Sequence, residues 1–173
     1  MKNIFILFIL TMNILFSNIL LSVPNENSAD IKVGNLAPDF KGEILDGKEL
    51  KLSDYKGKVI LLDFWASWCG PCQKELPFLF QMYDDNEDRN FITIAVNIDK
   101  KLNSAQKFLD KLTEKAHFPI VWDSKSEIPA LYNIESMPTT IFIDKNGVIR
   151  FIHTGFTDSS KDLLRQELEE LLK

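Results

Sequence analysis

From position 24 onward, apolar and polar residues fall into short segments with two distinct periods. Phe40, Ile44 and Leu45, then Leu50 and Leu52 alternating with Lys, flank Asp46-Gly47, a pattern that predicts a β-hairpin. Ser53-Asp54-Tyr55-Lys56-Gly57 predicts one helical turn closed by glycine. Val59 to Ala66 is an apolar run broken only by Asp63, as expected for a central strand buried on both faces. From Cys69 to about Tyr83 the positions Leu76, Leu79, Phe80 and Tyr83 recur at i, i+3, i+4 and i+7 and predict a helix, with a kink expected at Pro77. Phe91 to Ile98 reads as a second buried strand. Ser104 to Ala116 repeats the helical period through Ala105, Phe108, Leu109 and Leu112. Phe118 to Trp122 is a short extended piece and Ile128 to Tyr132 a short helix. Thr139 to Ile143 and Val148 to Thr154 are strands joined at Asn146-Gly147. Asp158 or Ser159 caps a final helix whose apolar face is Leu163, Leu164, Leu168, Leu171 and Leu172. The order is a hairpin, then βαβα, then a second hairpin and a closing helix. It fits one α/β domain with a mixed sheet and helices on both faces, and no internal repeat is present.

The first 23 residues follow neither period. Lys2 is the only charge before Glu26, and Ile4 to Leu21 is mostly Ile, Leu and Phe. A basic start and an apolar stretch predict a secretory signal peptide. The run from Ile4 to Val23 also suffices to cross a bilayer at about 1.5 Å per residue, so an uncleaved membrane anchor stays open. Ser22 and Ala29 are both acceptable at a cleavage site, and no Cys ends the apolar run, which excludes a lipid-modified cysteine. Residues 24–33 read as a polar linker and 34–173 as the folded domain, on the extracytoplasmic side of a membrane.

Composition narrows the function. The chain has 173 residues with 20 Lys+Arg, 25 Asp+Glu and 45% hydrophobic residues, enough for a sizeable core and far from a disordered composition. A net charge of −5 argues against a nucleic-acid surface. The only two cysteines, Cys69 and Cys72, are three positions apart, in Trp68-Cys69-Gly70-Pro71-Cys72, between the buried strand and the helix. A zinc site lacks two further ligands, since His117 and His153 have no paired spacing. A purely structural disulfide over so short a loop is a poor staple. At a helix N-terminus the unpaired N–H groups and the helix dipole stabilise a Cys69 thiolate, and Cys72 lies one turn on, within reach of a disulfide. Pro71 suits the first turn, where its missing N–H has no helical partner. Cys69 can then attack a substrate disulfide and Cys72 resolve the mixed disulfide, so the redox-active pair needs no other cofactor and no metal.

Asp63 is costly to bury without a purpose; it reads either as an acid of raised pKa that exchanges a proton with Cys72, or as an edge residue paired with Lys56 or Lys58. Glu75, i+3 from Cys72, either tunes the thiols or faces solvent. Met137-Pro138-Thr139 opens a strand at a place suited to a cis-proline.

Asp63 to Cys72, Pro77 and Met137-Pro138-Thr139-Thr140 together resemble the thioredoxin superfamily. Ala37-Pro38-Asp39-Phe40, the hairpin, Glu75 and an additional stretch near Leu102–Pro119 make the chain similar to its TlpA/ResA-like exported thiol-disulfide oxidoreductases, over about residues 31–173. The resemblance implies a thioredoxin-like fold with an N-terminal β-hairpin and an inserted segment before the cis-proline region. It implies an exposed nucleophile at Cys69, a resolving thiol at Cys72 and a buried acid at Asp63. Substrate would dock along Trp68, Gly70, Pro71, Met137 and Pro138. It further implies a protein-disulfide reductase acting on exported proteins or apocytochrome c thiols, re-reduced by a membrane thiol donor and working as a monomer. One departure is Ala95-Val96, where cytosolic thioredoxins commonly carry a Lys that pairs with the buried acid. Gly70-Pro71 is the dipeptide of thioredoxin itself and points toward a reductant; an oxidase or isomerase of the same fold is the alternative. Ala37-Pro38-Asp39-Phe40 also opens peroxiredoxin-like chains, but Ala66 stands three residues before Cys69, where those chains need Thr or Ser.

Overall fold

A computed structural model describes residues 31–113 and 115–173; the expected signal peptide or anchor, 1–23, and most of the expected linker, 24–33, lie outside the described residues. Two sheets carry the chain. The alternating segments form the hairpin β1 (Lys41–Glu43) and β2 (Glu49–Lys51), which pair antiparallel. Gly47, at φ +84°, closes its turn by donating from its N–H to the Ile44 carbonyl. A 3₁₀ turn, Leu52–Tyr55, follows as expected, and Gly57 at φ +94° lets the chain enter the main sheet.

The main sheet has the order β5 (Ile120–Trp122), β4 (Phe91–Asn97), β3 (Val59–Trp65), β6 (Thr139–Ile143), β7 (Ile149–Thr154). β3, β4 and β5 are parallel, β6 runs antiparallel to β3 and β7 antiparallel to β6, so the sheet is mixed. Every residue of β3 and β4 is buried, which is why their sequences are almost continuously apolar. Among the described residues four α-helices cover the sheet: α1 (Cys72–Asp84), α2 (Leu102–Leu109), α3 (Glu127–Leu131) and α4 (Ser160–Leu172). Alternation along the strands assigns them to faces. Glu75 of α1 reaches Thr140, Phe108 of α2 stacks on Trp65 at 5.5 Å, and Glu167 of α4 reaches His153, all on the face shared by Asp63 and Trp65. Tyr132, just beyond α3, packs on Phe64 and Phe40 on the other face, where its hydroxyl donates to the Pro38 carbonyl at 2.6 Å. The outer edge of β7 is shielded at its start: the Gly34 N–H donates to the Ile149 carbonyl and the Ile149 N–H to the Asn35 carbonyl.

Several expectations shift. The helix expected from Cys69 begins at Cys72 and runs unbroken through Pro77 to Asp84. The expected helix over Ser104–Ala116 is instead α2, Leu102–Leu109. Beyond it, Lys111 and Leu112 donate to carbonyls only three residues back, so the chain is turning out of the helix. Leu112 and Ala116 still pack on the core, so their helical spacing reflects burial of an irregular segment. In α4, Leu164 and Leu168 are buried but Leu163 is 44% exposed. Neither Asp158 nor Ser159 caps α4 with its side chain; Asp158 pairs with Lys161, and the Thr157 N–H donates to Ser160 Oγ. Among the described residues no helix is long and apolar enough to cross a membrane.

Candidate active site

β3 delivers the chain into the loop Ala66–Pro71 at the edge of the buried face. Cys69 and Cys72 are joined by a disulfide with their Cα atoms 5.3 Å apart. The Cys69 carbonyl accepts from the Gln73 N–H at 3.3 Å, so helical hydrogen bonding starts at Cys69 although the regular helix begins at Cys72. The Cys72 N–H points at Cys69 Sγ at 3.3 Å, placing a backbone donor and the positive end of α1 against that sulfur. Cys72 is fully buried. Cys69, expected to be exposed, is only 6% exposed in the disulfide, and is the less buried cysteine of the pair. The exposed surface beside it belongs to Trp68, at 68%, and to Gly70 and Pro71.

Behind Cys72 lies a pair of carboxyls. Asp63 is fully buried, and its register neighbours are Ala95 on β4 and Thr140 on β6. No lysine pairs with it, so its reading as an edge residue held by Lys56 or Lys58 is overturned: it lies mid-strand in the central strand, where those side chains do not reach. Ala95 occupies the neighbouring site that a pairing lysine would need. Glu75 is 1% exposed, which overturns its reading as a solvent-facing residue; it shares the inward face of α1 with Cys72, Leu76 and Leu79. Glu75 Oε1 accepts from the Thr140 hydroxyl at 2.9 Å, while Glu75 Oε2 and both Asp63 oxygens have no partner among the described residues. Burial pushes the Asp63 carboxyl well above the ordinary carboxylate range, and the nearby Glu75 charge raises it further. Burial likewise lifts Glu75 to about 7, opposed by the Thr140 hydrogen bond. Two buried carboxyls with no basic partner disfavour double ionisation, so ionising one tightens the other's hold on its proton.

The Met137-Pro138 bond is cis; Pro138 is buried and Met137 half-buried. The antiparallel register Phe64↔Thr139 brings Pro138 to the same end of the sheet as the loop after Trp65. The Pro138 carbonyl accepts from the Gly155 N–H at 2.8 Å. The structure therefore gathers Cys69, Cys72, Trp68, Gly70, Pro71, Met137 and Pro138 at one end of the sheet, with Asp63 and Glu75 beneath. Sequence reading missed Thr140, whose place is set by the β3–β6 register. It also missed the Ser67–Asn97–Asp99 cluster, whose members are up to 32 residues apart.

Comparison with known proteins follows the same lines. A family model described as "AhpC/TSA family" matches residues 33–152. The thiol-disulfide oxidoreductase ResA of Geobacillus thermodenitrificans is 36% identical over 141 residues, covering 82% of this chain and 79% of its own. The thioredoxin-like protein YneN of Bacillus subtilis is 36% identical over 151 residues, covering 86% and 83%. Among solved structures, a thiol:disulfide interchange protein DsbE from Chlorobium tepidum is similar with a TM-score of 0.78 at 40% identity, over 83% of this chain and 99% of that one. The exposed lipoprotein thioredoxin Etrx1 of Streptococcus pneumoniae matches with a TM-score of 0.67 at 32% identity, over 78% and 100%.

Proposed function

We propose that this chain, which belongs to the AhpC/TSA family and is a thiol-disulfide oxidoreductase of the thioredoxin-like fold, works as an exported reductase of protein disulfides. The observation that carries the proposal is the Cys69–Cys72 pair at the start of α1, with the buried carboxyls of Asp63 and Glu75 on its inward side. The reduced enzyme begins with Cys69 as a thiolate, stabilised by the Cys72 N–H and the end of α1. Its sulfur attacks one sulfur of a client disulfide; a Cys69–client bond forms, the client S–S bond breaks and one client thiolate leaves. Cys72 then loses its proton to the Asp63–Glu75 pair and attacks Cys69 Sγ. The Cys69–Cys72 bond forms and the second client thiolate departs. Two electrons pass to the client, and the enzyme ends in the disulfide state seen here.

Trp68, Gly70, Pro71, Met137 and Pro138 form the surface against which a client segment docks. The clients are disulfide-containing exported proteins, apocytochrome c among them, and a membrane thiol donor returns the electrons. The protein acts as a monomer, periplasmic or otherwise extracytoplasmic, with no cofactor beyond its own disulfide and with residues 1–23 as signal peptide or anchor. The exposed-lipoprotein relative supports the location, and the apolar N-terminal run supports export. Expressing Cys72→Ser in cells stalls the reaction at the mixed disulfide. Extracytoplasmic clients should then be captured through Cys69, and recovery of only cytosolic proteins, or of none, overturns the reading.

A further inference from the structure

We propose that Asp99 is a positioning residue for the attacking thiol, its buried side chain gripping Ser67 and so fixing the loop that carries Cys69. Asp99 is 2% exposed, just past the end of β4. Its Oδ2 accepts from the Ser67 N–H at 3.0 Å and from Asn97 Nδ2 at 2.9 Å, and its Oδ1 accepts from the Ser67 hydroxyl at 2.9 Å. A buried acid with no basic partner is costly, and here hydrogen bonds satisfy it. Two of the three come from one residue, 32 positions away in the chain and two before Cys69. Asn97 orients the acid in turn, because its Oδ1 accepts from the Asp99 N–H at 3.0 Å.

The grip acts on a loop that is also held on either side of Trp68. The Cys69 N–H donates to the Ala66 carbonyl at 3.1 Å, and the Ser67 carbonyl accepts from Gln73 Nε2 at 3.3 Å. The Trp68 side chain swings out into solvent. On its other side the Asn97–Asp99 corner is fastened to the end of β5 and the turn that follows it. Trp122 Nε1 donates to the Asp99 carbonyl at 2.8 Å, the Asp123 N–H to the Asn97 carbonyl at 2.8 Å, and Lys100 Nζ to the Ser124 carbonyl at 2.9 Å. Asp123 Oδ2 in turn accepts from the Ile128 N–H at 2.8 Å, at the start of α3, on the way to Met137-Pro138. Asp99 therefore ties the Cys69 loop to β5, and its carboxyl sets where Cys69 Sγ sits relative to the Cys72 N–H.

The inference rests on Cys69 being the attacking thiol, and its test reads Cys69 directly. In a Cys72→Ser background, the rate of Cys69 alkylation by iodoacetamide is followed against pH for the parent, Ser67→Ala, Ser67→Thr, Asp99→Asn and Ser67→Ala/Asp99→Asn. Ser67→Ala keeps the charge of the site and removes one hydrogen bond to the acid, so alkylation at neutral pH should slow by about tenfold. Its pH midpoint should move upward, as thiolate stabilisation is lost. Ser67→Thr, which retains the hydroxyl, should restore both. The double variant should be no slower than the slower single, because both act through one contact. An unchanged rate and midpoint in Ser67→Ala, a Ser67→Thr variant as impaired as Ser67→Ala, or multiplying effects in the double variant would each overturn the proposal. If Cys69 proves inert to alkylation in the parent itself, the proposed attacking role of Cys69 fails instead, and the two failures are told apart.

Discussion

Replacing Glu75 by Gln removes a titrating group while keeping its shape and an oxygen that accepts from the Thr140 hydroxyl. In the folded protein burial lifts the Glu75 carboxyl from an ordinary 4.5 to about 7. The folded state therefore binds this proton more tightly than the unfolded chain. The stability that the bound proton confers is complete below pH 4.5 and is lost as pH rises through about 7. Each pH unit between the two values is worth about 1.4 kcal/mol, so the full loss approaches about 3 kcal/mol, shared with Asp63 because the two carboxyls titrate together. Urea unfolding of the oxidised protein across this pH range should show the parent losing stability with rising pH and Glu75→Gln losing much less. Above pH 7 the variant should be the more stable of the two, by up to about 3 kcal/mol. The Asp63 pKa, followed by carboxyl NMR, should fall as the Glu75 charge disappears. Parallel stability curves for the two proteins, or a variant less stable than the parent above pH 7, would refute the reasoning.

Asp63→Asn should slow resolution by Cys72 far more than attack by Cys69, by about a hundredfold at neutral pH, the low end of the range for a positioned proton acceptor. Rapid-mixing kinetics with a fluorescent disulfide substrate separate the two steps, and equal slowing of both would remove the proton-acceptor role. Cys69→Ser should abolish insulin-disulfide reduction, and activity that survives it would contradict the choice of nucleophile. Gly42 is a fold test: a Cβ there would collide with Val121 Cγ1, on a short branched side chain of β5. Gly42→Ala should destabilise by about 1–3 kcal/mol in denaturant unfolding while the folded fraction keeps its activity; an unchanged midpoint would show that the hairpin shifts freely.

What could be read in the sequence was what local pattern encodes. The apolar run Val59–Trp65, the glycine-marked turns and the Cys69–Cys72 spacing each carry their meaning within a few residues. Glu75 was legible only as an alternative: its spacing from Cys72 and Leu79 suits the inward stripe of α1, but a glutamate at that spacing reads equally well as solvent-facing, and packing decided it. The true end of α2 was not legible, since Leu112 and Ala116 keep an apolar spacing while packing as an irregular segment. Thr140 beneath the thiols depends on the register of β6 against β3, and Asp99 on a contact across 32 residues. Such pairings are settled by tertiary packing and leave no periodic trace.

The central claim is that the Cys69–Cys72 pair gives electrons to client disulfides. Equilibrating the protein with thiol–disulfide buffers of graded ratio and quantifying the reduced pair measures its reduction potential. The reductase account, with its Gly70-Pro71 dipeptide, predicts a value on the reducing side, toward about −270 mV as in thioredoxin. A value near about −120 mV, that of a strong disulfide oxidant, would contradict it.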